Sequence, residues 1–191
     1  MKIAIVGPEE SKWKSKEQIA KAKREIKYAL AGYMPSMTCY TSPDKLEKEK
    51  ERFEQEKEKL IVVSGHCPKG GVDIWVEEIA DELGIAKEIY PAEVNQWEDS
   101  YDEHGRESDW RGQPCHRLKG YKSRNIQIAE LCEVLYCIVP KTEDHPYSCS
   151  KTFKKYHCIH CNQRNHLTNG GCWTMKYAKE IGKEAHLVVI Y

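Results

Sequence analysis

Apolar positions along this chain follow two rhythms that take turns. Beside the mixed segment Ala86–Tyr90, which also reads as a strand, continuous runs at Lys2-Ile3-Ala4-Ile5-Val6, Leu60-Ile61-Val62-Val63, Val134–Val139 and Leu187–Ile190 predict strands. Strands written this way are covered on both faces, because a half-exposed strand alternates apolar with polar residues. Between them the spacing becomes helical. Ser15-Lys16-Glu17-Gln18 has the form of a capping box, Ile19, Ala22, Ile26, Ala29 and Leu30 follow on one face, and Gly32 ends the segment. Ile74, Val76, Ile79, Ala80 and Leu83 predict a second helix closed by Gly84, and Ser123–Cys132 and Trp173–Ile181 predict two more. Met37–Thr41 reads as a further strand, and the charge-rich Asp44–Lys59 as a solvated surface helix rather than a coiled coil. Residues 93–120 read as a long polar loop able to form a lid, and 140–169 as an irregular insertion.

Strands alternating with helices predict an α/β protein: a Rossmann-like, three-layer fold with a mostly parallel sheet. The expectation is a single domain over 1–191 with a small metal-binding insertion at 140–172. In such sheets ligands sit beyond the carboxyl ends of the strands. Glycine-bearing segments fall at three of these ends: Gly7-Pro8, Ser64–Asp73 and Gly170-Gly171.

Composition narrows the function classes. Lys+Arg and Asp+Glu both number 30, and this balance demotes general nucleic-acid gripping, which usually brings a basic excess. No apolar run approaches the ~20 residues of a membrane helix. The opening MKIAIVGPEE is too short in apolar residues for a secretory core, so the expected location is cytoplasmic. In a reducing compartment nine cysteines point to metal ligation or buried thiols rather than disulfides.

The turn Ser64-Gly65-His66-Cys67-Pro68-Lys69-Gly70-Gly71-Val72-Asp73 joins a strand to a helix. It suits a phosphate or carboxylate, or needs its glycines for geometry alone. It is neither a Walker A loop nor a G-x-G-x-x-G fingerprint. Asn169-Gly170-Gly171-Cys172-Trp173-Thr174 is a second such turn, and Lys122-Ser123-Arg124-Asn125 opens a helix with an arginine able to fork onto phosphate.

Taken together, IAIVGP, VVSGHCPKGGVD, KGYKSRNIQIAELCEVLYCIV and GGCWTMKYAKEIGKEAHLVVI resemble the SLOG superfamily (Smf/DprA–LOG), and within it the YspA/YpsA-like subgroup. The resemblance covers the chain except 93–118 and 140–168. It implies a Rossmann-like fold that binds a nucleotide or nucleotide-derived ligand at the strand ends, and a homodimer or larger assembly. The expected cradle is Gly7, Pro8, Ser64, Gly65, His66, Gly70, Gly71, Asp73, Gly170, Gly171 and Thr174, with charge from Arg124 beside Asn125. Of these the resemblance matches Gly71, Asp73, Arg124, Gly170, Gly171 and Thr174, whereas Pro8 stands where related proteins often carry an arginine. Asp73 would brace the first turn. The phosphoribohydrolases of the superfamily follow the threonine with a catalytic glutamate, whereas Lys176 and Tyr177 stand here. Ligand binding is therefore the leading expectation and the catalytic residues are unknown. The enzyme alternative is a nucleotide N-glycosidic hydrolase or transferase using a carboxylate from 99–109. Trp97 and Trp110 in that loop could stack on a base or pin the loop to the body.

A second signal is independent of the resemblance. Cys158-x2-Cys161-x4-His166-x5-Cys172 is one residue longer than a zinc knuckle and can close a tetrahedral structural zinc site. Cys149, His157 and His160 are substitutes for one ligand. Knuckles commonly bind single-stranded nucleic acid, and Lys151, Lys154, Lys155, Tyr156 and Arg164 lie close by, which makes that binding mode the second alternative. Cys172 also lies inside the glycine turn, so the metal would chiefly rigidify the ligand site.

Overall fold

In this computed structural model the described residues are 1–34, 43–100, 111, 118–142, 158–163, 166 and 169–191, less the side chains of 43–46 and 56. The chain runs β1 (Lys2–Val6), α1 (Lys16–Ala31), α2 (Pro43–Lys57), β2 (Ile61–Ser64), α3 (Val72–Leu83), β3 (Ala86–Ile89), α4 (Tyr121–Leu131), β4 (Val134–Pro140), α5 (Gly170–Glu180) and β5 (Glu184–Ile190). A single 3-10 turn at Glu10–Lys12 lies between β1 and α1. The strand expected at Met37–Thr41 lies outside the described residues.

All five strands pair in parallel, in the order β3-β2-β1-β4-β5. The continuous apolar runs explain why both faces are covered. Along β1, Ile3 and Ile5 point into one core with Ala22, Ile26 and Leu30 of α1 and Val76 and Ile79 of α3. Ala4 and Val6 point into the other with Ile128 and Ala129 of α4 and Met175 and Ala178 of α5. The result is the expected Rossmann-like three-layer arrangement.

Helix ends follow local chemistry. The Ser15 side chain accepts from Gln18 N–H at 3.2 Å, while the Gln18 side chain accepts from Lys14 N–H at 3.1 Å. Gly84 closes α3 in the left-handed region at φ +66°. α5 begins at Gly170, three residues before the expected Trp173, because the Asn169 side chain accepts from Cys172 N–H at 3.0 Å and caps the helix there. β5 likewise begins at Glu184, ahead of the apolar run. As an edge strand it places Glu184 and His186 where solvent reaches them, so its start carries no apolar signal. In α2 the offset pairs Glu49–Arg52 (3.1 Å) and Glu54–Lys57 (2.5 Å) form as the charge pattern predicts. Among the described residues no helix is long and apolar enough to cross a membrane.

Candidate ligand cavity and metal cluster

The chain leaves β1 toward the α1–α3 layer and leaves the neighbouring β4 toward the α4–α5 layer. Connections that part to opposite faces open a crevice beyond the two strand ends. A cavity of about 430 Å³ fills it. Its floor is Gly7 and Pro8 after β1, with Pro140 at the end of β4 and Lys141 and Thr142 after it. One wall is the first turn of α5, namely Asn169, Gly170, Gly171 and Thr174; the other brings Cys67, Lys69, Asp73, Tyr121, Arg124 and Asn125, and Trp97 also borders it.

Two close approaches shape this floor. A Cβ on Gly171 would stand 3.0 Å from the Gly7 backbone, so α5 begins directly against the β1 loop. Gly71 holds φ +95°, and a Cβ there would collide with the Pro8 carbonyl. Because Asn169 is the N-cap and its side chain takes the Cys172 amide, the Gly170 and Gly171 amides are the helix donors left without an intrahelical acceptor. The Thr174 hydroxyl donates back to Gly170 O at 2.8 Å.

The lining carries five cationic side chains (Lys12, Lys14, Lys69, Arg124, Lys141) against two carboxylates, Glu9 and Asp73. Glu9 bonds Ser11 at 2.9 Å and lies 3.6 Å from both Lys12 and Lys69. The Ser11 hydroxyl first, and then these ammonium groups, hold its carboxyl below the usual range against a partial burial that pushes the other way.

Arg124 does more than line the cavity. Its Nη1 donates to Gly65 O at 2.9 Å and to Asp73 Oδ2 at 3.2 Å, and Nε and Nη2 donate to Asn125 Oδ1 at 3.1 and 2.9 Å. Its guanidinium also stacks 5.0 Å from the Tyr121 ring centre. The side chain lies so flat over Gly65 that a Cβ there would meet Cζ at 2.6 Å. Burial pushes the Asp73 carboxyl upward, and the adjacent guanidinium opposes that shift. Arg124 thus fastens α4 to the β2–α3 turn, bracing the loop together with Asp73.

Asp99 occupies the start of α4, accepting from Gly120 N–H at 3.0 Å and from the Ser123 hydroxyl. Tyr121 and Lys122 N–H donate to the carbonyls of Gln96 and Trp97, both at 2.8 Å. The positive end of α4 is therefore taken up by the 95–100 loop instead of facing the crevice. The carboxylate of Asp99 serves there as a helix cap. The rest of the expected 99–109 group, together with Trp110, lies outside the described residues, Ser100 apart. Trp97 meets Trp173 edge to face at 5.4 Å, and Trp173 stacks on Tyr177 at 5.6 Å.

Ser64, Gly65, His66 and Gly70 do not line the cavity. Ser64 Oγ donates to Glu77 Oε1 at 2.5 Å, and His66 Nδ1 pairs with Glu77 Oε2 at 2.8 Å, with His66 held at φ +46°. These residues support the turn from behind through a buried carboxylate that sequence reasoning missed. Burial raises the Cys67 thiol, and with His66 turned to Glu77 no imidazole among the described residues is engaged to activate it. The lysines 12, 14, 69 and 141 were also missed, since nothing local distinguishes them from surface charge. Asn169 was legible as an N-cap type ahead of a helix.

The four expected metal ligands do come together. The donor atoms of Cys158, Cys161, His166 and Cys172 all lie within 4.8 Å of one another and could hold a metal ion. His166 Nε2 is 3.2 Å from Cys161 Sγ and 3.3 Å from Cys172 Sγ. A tetrahedral ion with metal–sulfur bonds of about 2.3 Å holds its ligands about 3.6–3.8 Å apart, so little adjustment is needed. Bonds from Asn162 N–H to Cys158 O and from Cys158 N–H to Gln163 O, both 2.8 Å, close the turn bearing the first two thiols. Burial pushes the Cys161 thiol up to about 12, so a cation is needed to favour its thiolate. His160 is not part of the cluster, and Cys149 and His157 lie outside the described residues. Cys137 of β4 places a further thiol 3.9 Å from Cys172.

No family model, curated protein or solved structure matches this chain.

Proposed function

We propose that the crevice between β1 and β4 binds a nucleotide or nucleotide-derived phosphate ligand, and that the cysteine–histidine cluster holds a structural zinc beside it. The carrying observation is the lining: five cations against two carboxylates, around two helix-start amides with no acceptor of their own. An anion answers both. Trp97 at the border offers an apolar face for a base, which favours a nucleotide over inorganic phosphate. The SLOG resemblance supports the same ligand class.

Zinc suits the cluster because three thiolates and an imidazole are its usual soft donors, and four protein ligands leave no position for substrate. Its part would be to fix the segment that precedes α5. Binding is favoured over hydrolysis. Lys176 pairs with Glu180 at 3.7 Å and Tyr177 bonds Glu130 at 3.0 Å, so neither stands in for the missing glutamate. The cytoplasm is the compartment in which such thiols stay reduced.

Calorimetric titration with a panel of nucleoside monophosphates and the matching nucleosides tests the reading. At least one monophosphate should bind tenfold or more tighter than its nucleoside, with no free base released. Absence of binding by every phosphorylated ligand would overturn it, and base release would move it to the hydrolase alternative.

A further inference from the structure

The cluster and the cavity share one short piece of chain. Cys172 is the third residue of α5, directly after the two glycines that line the cavity. The second of them, Gly171, packs closely against the β1 loop, since a Cβ on it would stand 3.0 Å from the Gly7 backbone. Exposure within the cluster is uneven. Cys158, His166 and Cys172 are fully enclosed, whereas Cys161 is partly open, on a turn whose Ile159 is 77% exposed.

We propose that the Cys158–Cys161 pair is an oxidisable gate on the anion cavity: a hydroperoxide converts it to a disulfide, the metal leaves, and the start of α5 loses its hold on the anion. The inference rests on the reading of the cluster as a zinc site and of the cavity as an anion site. The Cys161 thiolate attacks the outer oxygen of the hydroperoxide, giving a sulfenic acid and releasing the alkoxide or hydroxide. The Cys158 thiolate then attacks the sulfenic sulfur, forming the S–S bond and expelling hydroxide. Two electrons pass from the sulfurs to the O–O bond, and two protons from solvent convert the first leaving group to an alcohol (water, for hydrogen peroxide) and the expelled hydroxide to water. Cys158 is the natural partner because it lies in the same turn and its sulfur is within 4.8 Å. Of the four clustered donors only His166 and Cys172 then remain, too few to hold zinc in competition with water, because the Cys137 thiol, 3.9 Å from Cys172, lies outside that mutually close group. With the ion gone, Cys172 no longer anchors Gly170 and Gly171.

The test uses the full chain with its metal and inorganic pyrophosphate as probe. Stepwise hydrogen peroxide should release one metal per chain to a chromogenic chelator. Peptide mapping should find the disulfide between Cys158 and Cys161. Pyrophosphate affinity should fall at least tenfold and return after a thiol reductant and zinc. A Cys161→His variant keeps four ligands and should release metal at least tenfold more slowly. Release at the parent rate, a disulfide mapped to other cysteines, or oxidation with unchanged pyrophosphate affinity would overturn the proposal. Protein that never carries metal would instead overturn the zinc reading on which it rests, and metal-bound protein that binds neither pyrophosphate nor any nucleoside monophosphate before oxidation would overturn the anion-site reading. Where only a monophosphate binds, it replaces pyrophosphate as the probe.

Discussion

The two faces of the sheet are built from different materials. The α1–α3 face is filled by bulk: Ile3, Ile5, Ile26, Leu30, Val62, Ile79 and the edge-to-face pair Trp13–Trp75 at 5.2 Å. The α4–α5 face uses smaller and softer groups, with Ala4, Ala129 and Ala178 beside Cys132, Cys137, Cys158 and Cys172. Burial free energy follows apolar area, so the first face closes by itself. The second brings three of its residues, Cys158, Cys161 and Cys172, to a cluster that could hold a metal ion, and under the proposed reading that ion would supply part of its cohesion. The cavity is lined from both layers, with a wall from a helix on the face that carries the cysteine–histidine cluster. Ligand affinity should therefore follow the state of the weaker face.

Metal removal should break the symmetry most. Chelation under reducing conditions should cost stability on the order of several kcal/mol, since structural zinc contributes folding free energy directly. Hydrogen exchange should show α5 and residues 158–163 losing protection while α1 and α3 keep theirs. Equal loss on both faces would show that the metal supports the whole sheet and not one side.

Arg124→Ala should come next. Arg124 links the layers, running from α4 to Asp73 of α3, with side-chain exposures of 11% and 5%. Removing one partner of a buried pair costs about 3–5 kcal/mol, because the remaining charge is stranded. Chemical denaturation should show that loss, and Arg124→Lys should recover only part, having no fork to reach Gly65 and Asn125 as well. A loss below about 1 kcal/mol would show that the two layers do not depend on this tie.

The smallest effect should come from the self-sufficient face. Ile26→Val removes one methylene from a fully buried position and should cost about 0.5–1.5 kcal/mol. Metal content and ligand affinity should stay at the parent values. A change in either, measured by elemental analysis and calorimetry, would mean that strain crosses the sheet.

Much of this arrangement was written in local pattern. Unbroken β-branched runs announced a sheet covered on both sides, the spacing of Ile19, Ala22 and Ile26 announced a buried helix face, and Cys158-x2-Cys161-x4-His166-x5-Cys172 announced its cluster. Such features are legible because each depends on residues a few positions apart, whose relative placement is set by the element they occupy. Glycine turns at strand ends could be read for the same reason, though not what lay behind them.

Tertiary structure decided everything that depends on distant chain meeting. It placed β4 beside β1 and so put the crevice between Gly7 and Pro140. It turned Arg124 onto Asp73, 51 positions earlier, and gave the start of α4 to Asp99. It also gathered Lys12, Lys14, Lys69 and Lys141 from three separate loops into one lining. A solvated lysine and a convergent one look identical in sequence, because charge acts through space and the sheet order sets which loops share that space.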